Sequence, residues 1–449
     1  MTAASQTAAT QNLATQDIRL SSVVAFHQAG EPEFLRRLRA AGAERFASEG
    51  FPTTRQEEWK YTSLTPLTRT DFRLANAPAA SSDVDTRGFA MGASAAAELV
   101  FVDGHFAPHL SSVAALPPGL RVTNIRDTEP ALLQPHLGRY AAASSLTALN
   151  MALMQDGAFV EASAPIEGTV HLLYVSTGSA EPTMSHVRNL IVAMRGSELS
   201  VVESYVGSGT YFTNAVTEIV AEDGAIVDHC KLGYESSDAF HIGIVQIQQA
   251  RSSSVTSRNI TIGGRLVRSD AGGVLAGEGA SLTLDGLYTV TGQQHVDNHT
   301  IIDHAKPHCE SSETYKGILD ERARGIFDGK IIVRKDAQKT NSRQSNKNLL
   351  LSESAIVDSK PTLEILADDV KCTHGSTVGQ LDETAMFYLR SRGVGEAEAR
   401  SMLLLAFASE LVDRIKHEPV RERIRRAMFE QMPQRLPERR AEPRSGSEE

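Results

Sequence analysis

A chain of 449 residues with 41% apolar side chains has enough material for a packed core and for more than one domain. Its 55 acidic against 45 basic residues give a formal charge of -10, which argues against nucleic acid or an anionic membrane surface as partner and favours other proteins. No apolar run of about 18 residues occurs, so no membrane span is expected.

The opening Met1-Thr2-Ala3-Ala4-Ser5-Gln6 lacks the charged-then-apolar pattern of a secretory signal, so a cytoplasmic protein is expected. Residues 1–20 are rich in Ala, Thr, Gln and Ser and read as a disordered N-terminus. A helical and mixed region, 21–157, follows. In it Leu35, Leu38, Ala41 and Phe46 fall near helical spacing among Arg36, Arg37, Arg39, Glu44 and Arg45, predicting an amphipathic surface helix stopped by Pro52. The lone tryptophan, Trp59, reads as a packing anchor, given the area an indole buries. Residues 75–95 read as a Pro/Ala/Ser-rich connector, Glu98 to Phe106 as a hairpin about Asp103-Gly104, and Ser145 to Gln155 as a short helix ending at Gly157.

From 158 to 375 short β-rich runs succeed one another, and a turn signal recurs at Gly196, Gly224, Ser252 and Gly279, spaced 28, 28 and 27 residues apart. Strands and turns without helices inside such a period predict one solenoid coil per repeat, a β-helix, with an antiparallel sandwich as the rival. The period turns helical after Gly375, giving a C-terminal helical domain over 376–433. Asp382 caps a helix stopping at Gly393. Glu396 begins a second, striped by Leu404, Phe407, Ala408, Leu411 and Ile415 and ended by Pro419. Arg421 to Met432 form a charged third, and 434–449 read as a flexible tail.

Chemistry-bearing motifs are sparse. The three cysteines, Cys230, Cys309 and Cys372, are too far apart for a disulfide framework or a Cys-x-x-Cys site, and cannot alone supply four thiolates to a cluster. His295, Asp297, His299, Asp303, His304, His308, Cys309 and Glu310 crowd together, but without the zinc-protease pattern they read as imidazoles facing solvent on solenoid strands rather than as a metal site. Gly325-Ile326-Phe327-Asp328-Gly329-Lys330-Ile331 is one residue short of a phosphate loop and lacks its Ser/Thr, so no nucleotide is expected on this chain. No Gly-x-Ser-x-Gly elbow is present. Cys372 and His374 alternate along a strand and share one face, which suits zinc or iron–sulfur chemistry. On residue type alone, a buried thiol and a hydrogen-bonded imidazole closing the last strand is the stronger reading.

Seven segments together change that balance. They are Arg55-Gln56-Glu57-Glu58-Trp59-Lys60-Tyr61, Asp336-Ala337-Gln338-Lys339-Thr340, Asn348-Leu349-Leu350-Leu351, Lys360-Pro361-Thr362-Leu363-Glu364-Ile365, Ala367-Asp368-Asp369-Val370-Lys371-Cys372, His374-Gly375-Ser376-Thr377-Val378-Gly379 and Phe387-Tyr388-Leu389-Arg390-Ser391-Arg392-Gly393. With them the chain, from about Phe51 on, resembles the SufB/SufD family of iron–sulfur cluster assembly proteins. The resemblance implies a mainly β fold, a right-handed parallel β-helix between helical N- and C-terminal regions. It implies a non-catalytic scaffold that pairs with a SufB-like paralogue through its late strands and docks a SufC-like ATPase through its C-terminal helices; a homodimer stays open. It also implies a transient iron–sulfur cluster shared with the SufB-like chain, with His374 as a ligand and Cys372 in the same interface. SufB-type chains carry a cluster-building Cys just before the Leu-Leu pair, where this chain has Asn346; an amide cannot accept persulfide sulfur, so this is the helper subunit. The competing functions are an adaptor for an ATPase without metal contact and a β-helix enzyme acting on carbohydrate.

Overall fold

Each coil of the chain turns at a residue held at positive φ. The four spaced positions are such corners, at 68° for Gly196, 69° for Gly224, 54° for Ser252 and 69° for Gly279, and the series runs on through His308 at 60° and Lys339 at 63°. Glycine takes this conformation without a Cβ clash, which is why it dominates the early corners. Corner amides bond from coil to coil: Gly224 N–H donates to Arg251 O at 2.8 Å, Ser252 to Glu278 at 2.9 Å, His308 to Gln338 at 2.9 Å and Lys339 to Asp369 at 2.7 Å.

The computed structural model describes residues 19–23, 26, 30–77, 84–113, 115–141, 144–178 and 181–431. The expected disordered start, up to residue 18, and the expected tail lie outside them, as does part of the 75–95 connector. Between corners run strands such as Ile226–Glu235, Ser254–Gly263 and Ser281–Val290, paired in parallel with Val227 beside Val255 beside Leu282. Two ten-stranded sheets result, every second strand joining the same sheet. The fold is thus a β-solenoid of about eight turns with helices at both chain ends, and the sandwich alternative is set aside. Leu199, Val227, Val255 and Leu282 from one sheet meet Ile219, Ile247, Ile302 and Ile331 from the other in the core. Burying each such side chain contributes roughly 1.5–3 kcal/mol.

The N-terminal helix Glu33–Glu49 buries Leu35 and Phe46 but leaves Ala41 exposed, and it hides Arg39, which the sequence pattern placed among the polar residues. Arg39 is 1% exposed because Glu31 pairs with it at 2.6 Å and Met154 O accepts from it. Helix Ser145–Leu153 starts in a capping box between Ser144 and Thr147 and is buried throughout. Trp59 is buried, with the Arg268 guanidinium 3.8 Å from its ring centroid.

After the solenoid, Asp382 Oδ1 accepts from Thr384 N and Ala385 N and caps Glu383–Ser391. Leu404, Ala408 and Leu411 of Glu396–Val412, with Ile415 just beyond it, pack on Val202, Cys230, Leu232 and Ile260 of the solenoid's outer face. Pro419 does not end that helix; it sits in the first turn of the third, Glu418–Gln431, where its missing N–H costs nothing.

The two ends of the solenoid differ. At the first, antiparallel pairs turn the chain back: His105–Phe106 against Ala95–Val102 through Asp103 and Gly104, both at positive φ, and Leu120–Asn124 against Ala158–Ala162. At the other, Ile356–Ile365 and Lys371–Gly379 each pair on one side only.

Candidate functional site at the open end

Inward and outward positions alternate along the last strand, Lys371–Gly379. Cys372 pairs with Ser342 and His374 with Gln344, both buried, so the thiol and the imidazole continue two inward columns. Cys372 packs against the core, half-buried, and burial pushes its thiol up, away from the reactive thiolate. His374 is exposed because no coil lies beyond it. The sequence expectation of a shared face therefore holds, while that of a buried, hydrogen-bonded imidazole does not.

Beneath His374, Gln344 Nε2 donates to Glu313 Oε2 at 2.7 Å, and burial pushes the Glu313 carboxyl up to about 7. In the neighbouring column Asn346 is fully buried, and its Oδ1 accepts from Asn348 Nδ2 at 2.7 Å and Ser359 Oγ at 2.9 Å, with Ser376 Oγ donating to Ser359 Oγ at 2.8 Å. The Asn346 amide is thus a hub joining three of the last four strands. Around this floor Ile356, Ile365, Leu366 (59% exposed) and Val378 (51%) form an apolar rim beside two unpaired strand edges. Among the described residues no three of His, Cys, Asp and Glu come together as a metal site, so any metal held here needs ligands from elsewhere.

The other sequence candidates dissolve into structure. Of the imidazoles expected to face solvent only His308 does, while His295, His299 and His304 are covered. His304 is fully buried, its Nε2 2.9 Å from Ser311 Oγ, and His308 is a turn corner. His295 and Asp297 meet Thr62, while Arg268 bridges Asp297 at 3.0 Å and Asp270 at 2.8 Å. This cluster clasps the Trp59 segment to the sheet, and Lys360 adds a 2.8 Å pair to Glu57. Cys309 follows its corner at the small buried position that Ser197, Ala225, Ser253, Ala280 and Thr340 occupy in other coils. Gly325 to Ile331 lies within a strand rather than a loop.

Sequence reasoning missed Glu313 and Gln344, since neither belongs to a motif. The coil period was the available signal: counting one coil back from His374 reaches Gln344, and two reaches Glu313. It also missed the exposed aromatic face of Glu383–Ser391, a helix with no buried residue, where Phe387 is 74% and Tyr388 57% exposed.

Comparison with known proteins bears on this arrangement. Residues 174–407 match the SufBD core domain of the SUF iron–sulfur cluster assembly system, and residues 21–169 match the SufBD protein N-terminal region. The chain belongs to the SufBD family. A SufBD family iron–sulfur cluster assembly protein of Synechocystis sp. is 32% identical over 415 residues, covering 89% of this chain and 91% of that one. The iron–sulfur cluster assembly protein SufD of Escherichia coli K12 is 30% identical over 390 residues, 86% and 90% of the two chains, and that of Bacillus subtilis 29% over 291, 62% and 65%. SufBD membership carries a role in iron–sulfur cluster assembly by the SUF system. No helix among the described residues is long and apolar enough to cross a membrane.

Proposed function

We propose that this chain is a non-catalytic cytoplasmic scaffold subunit, on the SufD side of the family, whose open end pairs with a SufB-like chain over a nascent iron–sulfur cluster. The observation that carries this reading is the open end itself: two unpaired strand edges with an apolar rim around inward-pointing Cys372 and His374. Long unpaired edges invite strand pairing with another chain. His374 is the cluster ligand, neutral imidazole being a competent donor to iron, and the remaining ligands come from the partner. Cys372 is the weaker candidate, since it packs on the core and its thiol is held protonated. The buried amide of Asn346 cannot carry sulfur, so the sulfur-accepting thiolate belongs to the SufB-like chain.

Phe387 and Tyr388 give the C-terminal helices an apolar face for a SufC-like ATPase, because aromatic anchors concentrate binding energy at interfaces. Nucleotide-driven closure of two such ATPases then pulls on the helical domains and strains the seam at the open end. The test is co-expression of the three chains with wild type or His374→Ala, followed by anaerobic spectroscopy of the purified complex. The complex is expected to keep its stoichiometry and lose its cluster signal. A His374→Ala complex with an undiminished cluster would make the chain an adaptor without metal contact.

A further inference from the structure

One buried acceptor below His374 has no donor. Gln344 Oε1 makes no hydrogen bond, although its residue is inside the solenoid at 3% exposure, whereas the Glu313 carboxyl beneath it has the Thr300 hydroxyl beside it. An orphaned buried acceptor is costly, so this one needs a reason. The Glu313 carboxyl fixes the amide: its Oε2 accepts from Nε2 of Gln344 at 2.7 Å, which leaves Oε1 of Gln344 free for a different donor. In-register stacking sets the imidazole of His374 next in line.

The same column shows the completed version of this arrangement deeper in the solenoid. Four coils below Gln344 stands His229, whose Nδ1 lies 2.9 Å from Ser257 Oγ and whose Nε2 lies 3.1 Å from Glu203 Oε1; both ring nitrogens are engaged and the ring is fully buried. At the open end the acid and the amide are in place and the imidazole still faces solvent.

We infer that Gln344, held by Glu313, is a positioning residue that orients His374 and fixes its tautomer when the open end is covered. The ring N–H donates to Gln344 Oε1, and the lone pair of the other nitrogen then points out of the solenoid. Imidazoles that bind metal generally donate their second N–H to a carbonyl or carboxylate in this way. The inference rests on the proposed role of His374.

The experiment uses the three-chain complex carrying Gln344→Met, which keeps shape without an acceptor, and Gln344→Glu, which restores an acceptor oxygen. With Met, cluster content is expected to fall about 10-fold or more, the usual range for losing such support, and the pulsed-EPR coupling of the reduced cluster to a histidine nitrogen to change. Complex stoichiometry and melting temperature stay as in wild type, and Glu recovers both signals. If His374→Ala loses the cluster while Gln344→Met keeps wild-type content and coupling, the positioning role is wrong and the ligand role stands. If His374→Ala keeps the cluster, the ligand role itself fails. Should both Gln344 variants fail to assemble, the His374 ring 15N shifts in the wild-type complex decide: a single N–H tautomer supports the inference, and a tautomer mixture overturns it.

Discussion

The first end of the solenoid is closed by the chain itself, and among the described residues nothing closes the last. At the first, the hairpin through Asp103-Gly104 and the antiparallel strand Leu120–Asn124 fold back on the core, burying Phe101, Leu120 and Val122 and leaving outer strands of only two and five residues. Short edge strands are a common way to prevent unwanted pairing. At the last end the edge strands keep nine and ten residues, and Ile356, Ile365, Leu366 and Val378 stay in water. A fold that can cap one end with its own hairpins has no physical need to leave the other bare. The contrast is therefore the strongest argument that the bare end is kept for another chain.

Substituting one residue at each end tests the contrast most severely. Phe101 is fully buried and stacks on Tyr174 at 4.9 Å, which stacks in turn on Tyr205 at 4.8 Å. Phe101→Ala should lower unfolding stability by about 3–5 kcal/mol, read as a shift in the denaturant midpoint. Val378→Asp should leave the isolated chain within about 0.5 kcal/mol of wild type, yet abolish pairing with the SufB-like chain. A Val378→Asp chain that pairs normally would move the interface away from the open end.

Much of this architecture is legible in the sequence, because local rules and tertiary structure agree there. Corner glycines at a constant period, the Asp-Gly hairpin, the Asp382 cap and the stripe on the long C-terminal helix are all local signals, and all appear in the structure. What escaped is non-local. Arg39 reads as a surface charge until Glu31 and a carbonyl 115 residues away enclose it. The His295–His299 cluster reads as solvent-facing until Thr62 and Trp59 close over it. Four corners of this series were visible and two more continue it, because His308 and Lys339 hide the later ones behind side chains that rarely take positive φ. At the candidate site the motif carried Cys372 and His374, while the column beneath them emerges only once the coils are stacked.

A smaller effect concerns the floor of the open end. Glu313 is buried and pushed up to about 7, well above an ordinary Glu. Between the unfolded value near 4.3 and about pH 7 the unfolded chain gives up this proton while the folded chain keeps it. Stability therefore falls as pH rises through that window and then levels off. The cost at pH 8 is on the order of 4 kcal/mol at most. Glu313→Gln removes the charge and keeps an acceptor for Gln344. It should be neutral at pH 4 and stabilising by roughly 1–3 kcal/mol at pH 8, measured by urea unfolding at the two pH values. Equal effects at both would show that the carboxyl is not held protonated.

The corners supply the finest test of the same asymmetry. Glycine occupies three of the first four, whereas His308 and Lys339, nearest the open end, hold φ at 60° and 63° with a Cβ in place. For a side-chain-bearing residue this conformation costs roughly 1–2 kcal/mol, and glycine relieves it while adding backbone entropy to the unfolded chain. The ion pair of Lys339 with Asp369 is exposed and so contributes little. Lys339→Gly should therefore stabilise the chain by about 0.5–1 kcal/mol in thermal unfolding. The reverse change at an early corner, Gly224→Ala, should destabilise it by a similar amount, because open space around that Cβ leaves φ as the only penalty. If Lys339→Gly is instead destabilising, the corner is held by its side chain, and the last coil owes its shape to contacts rather than to the backbone repeat that builds the others.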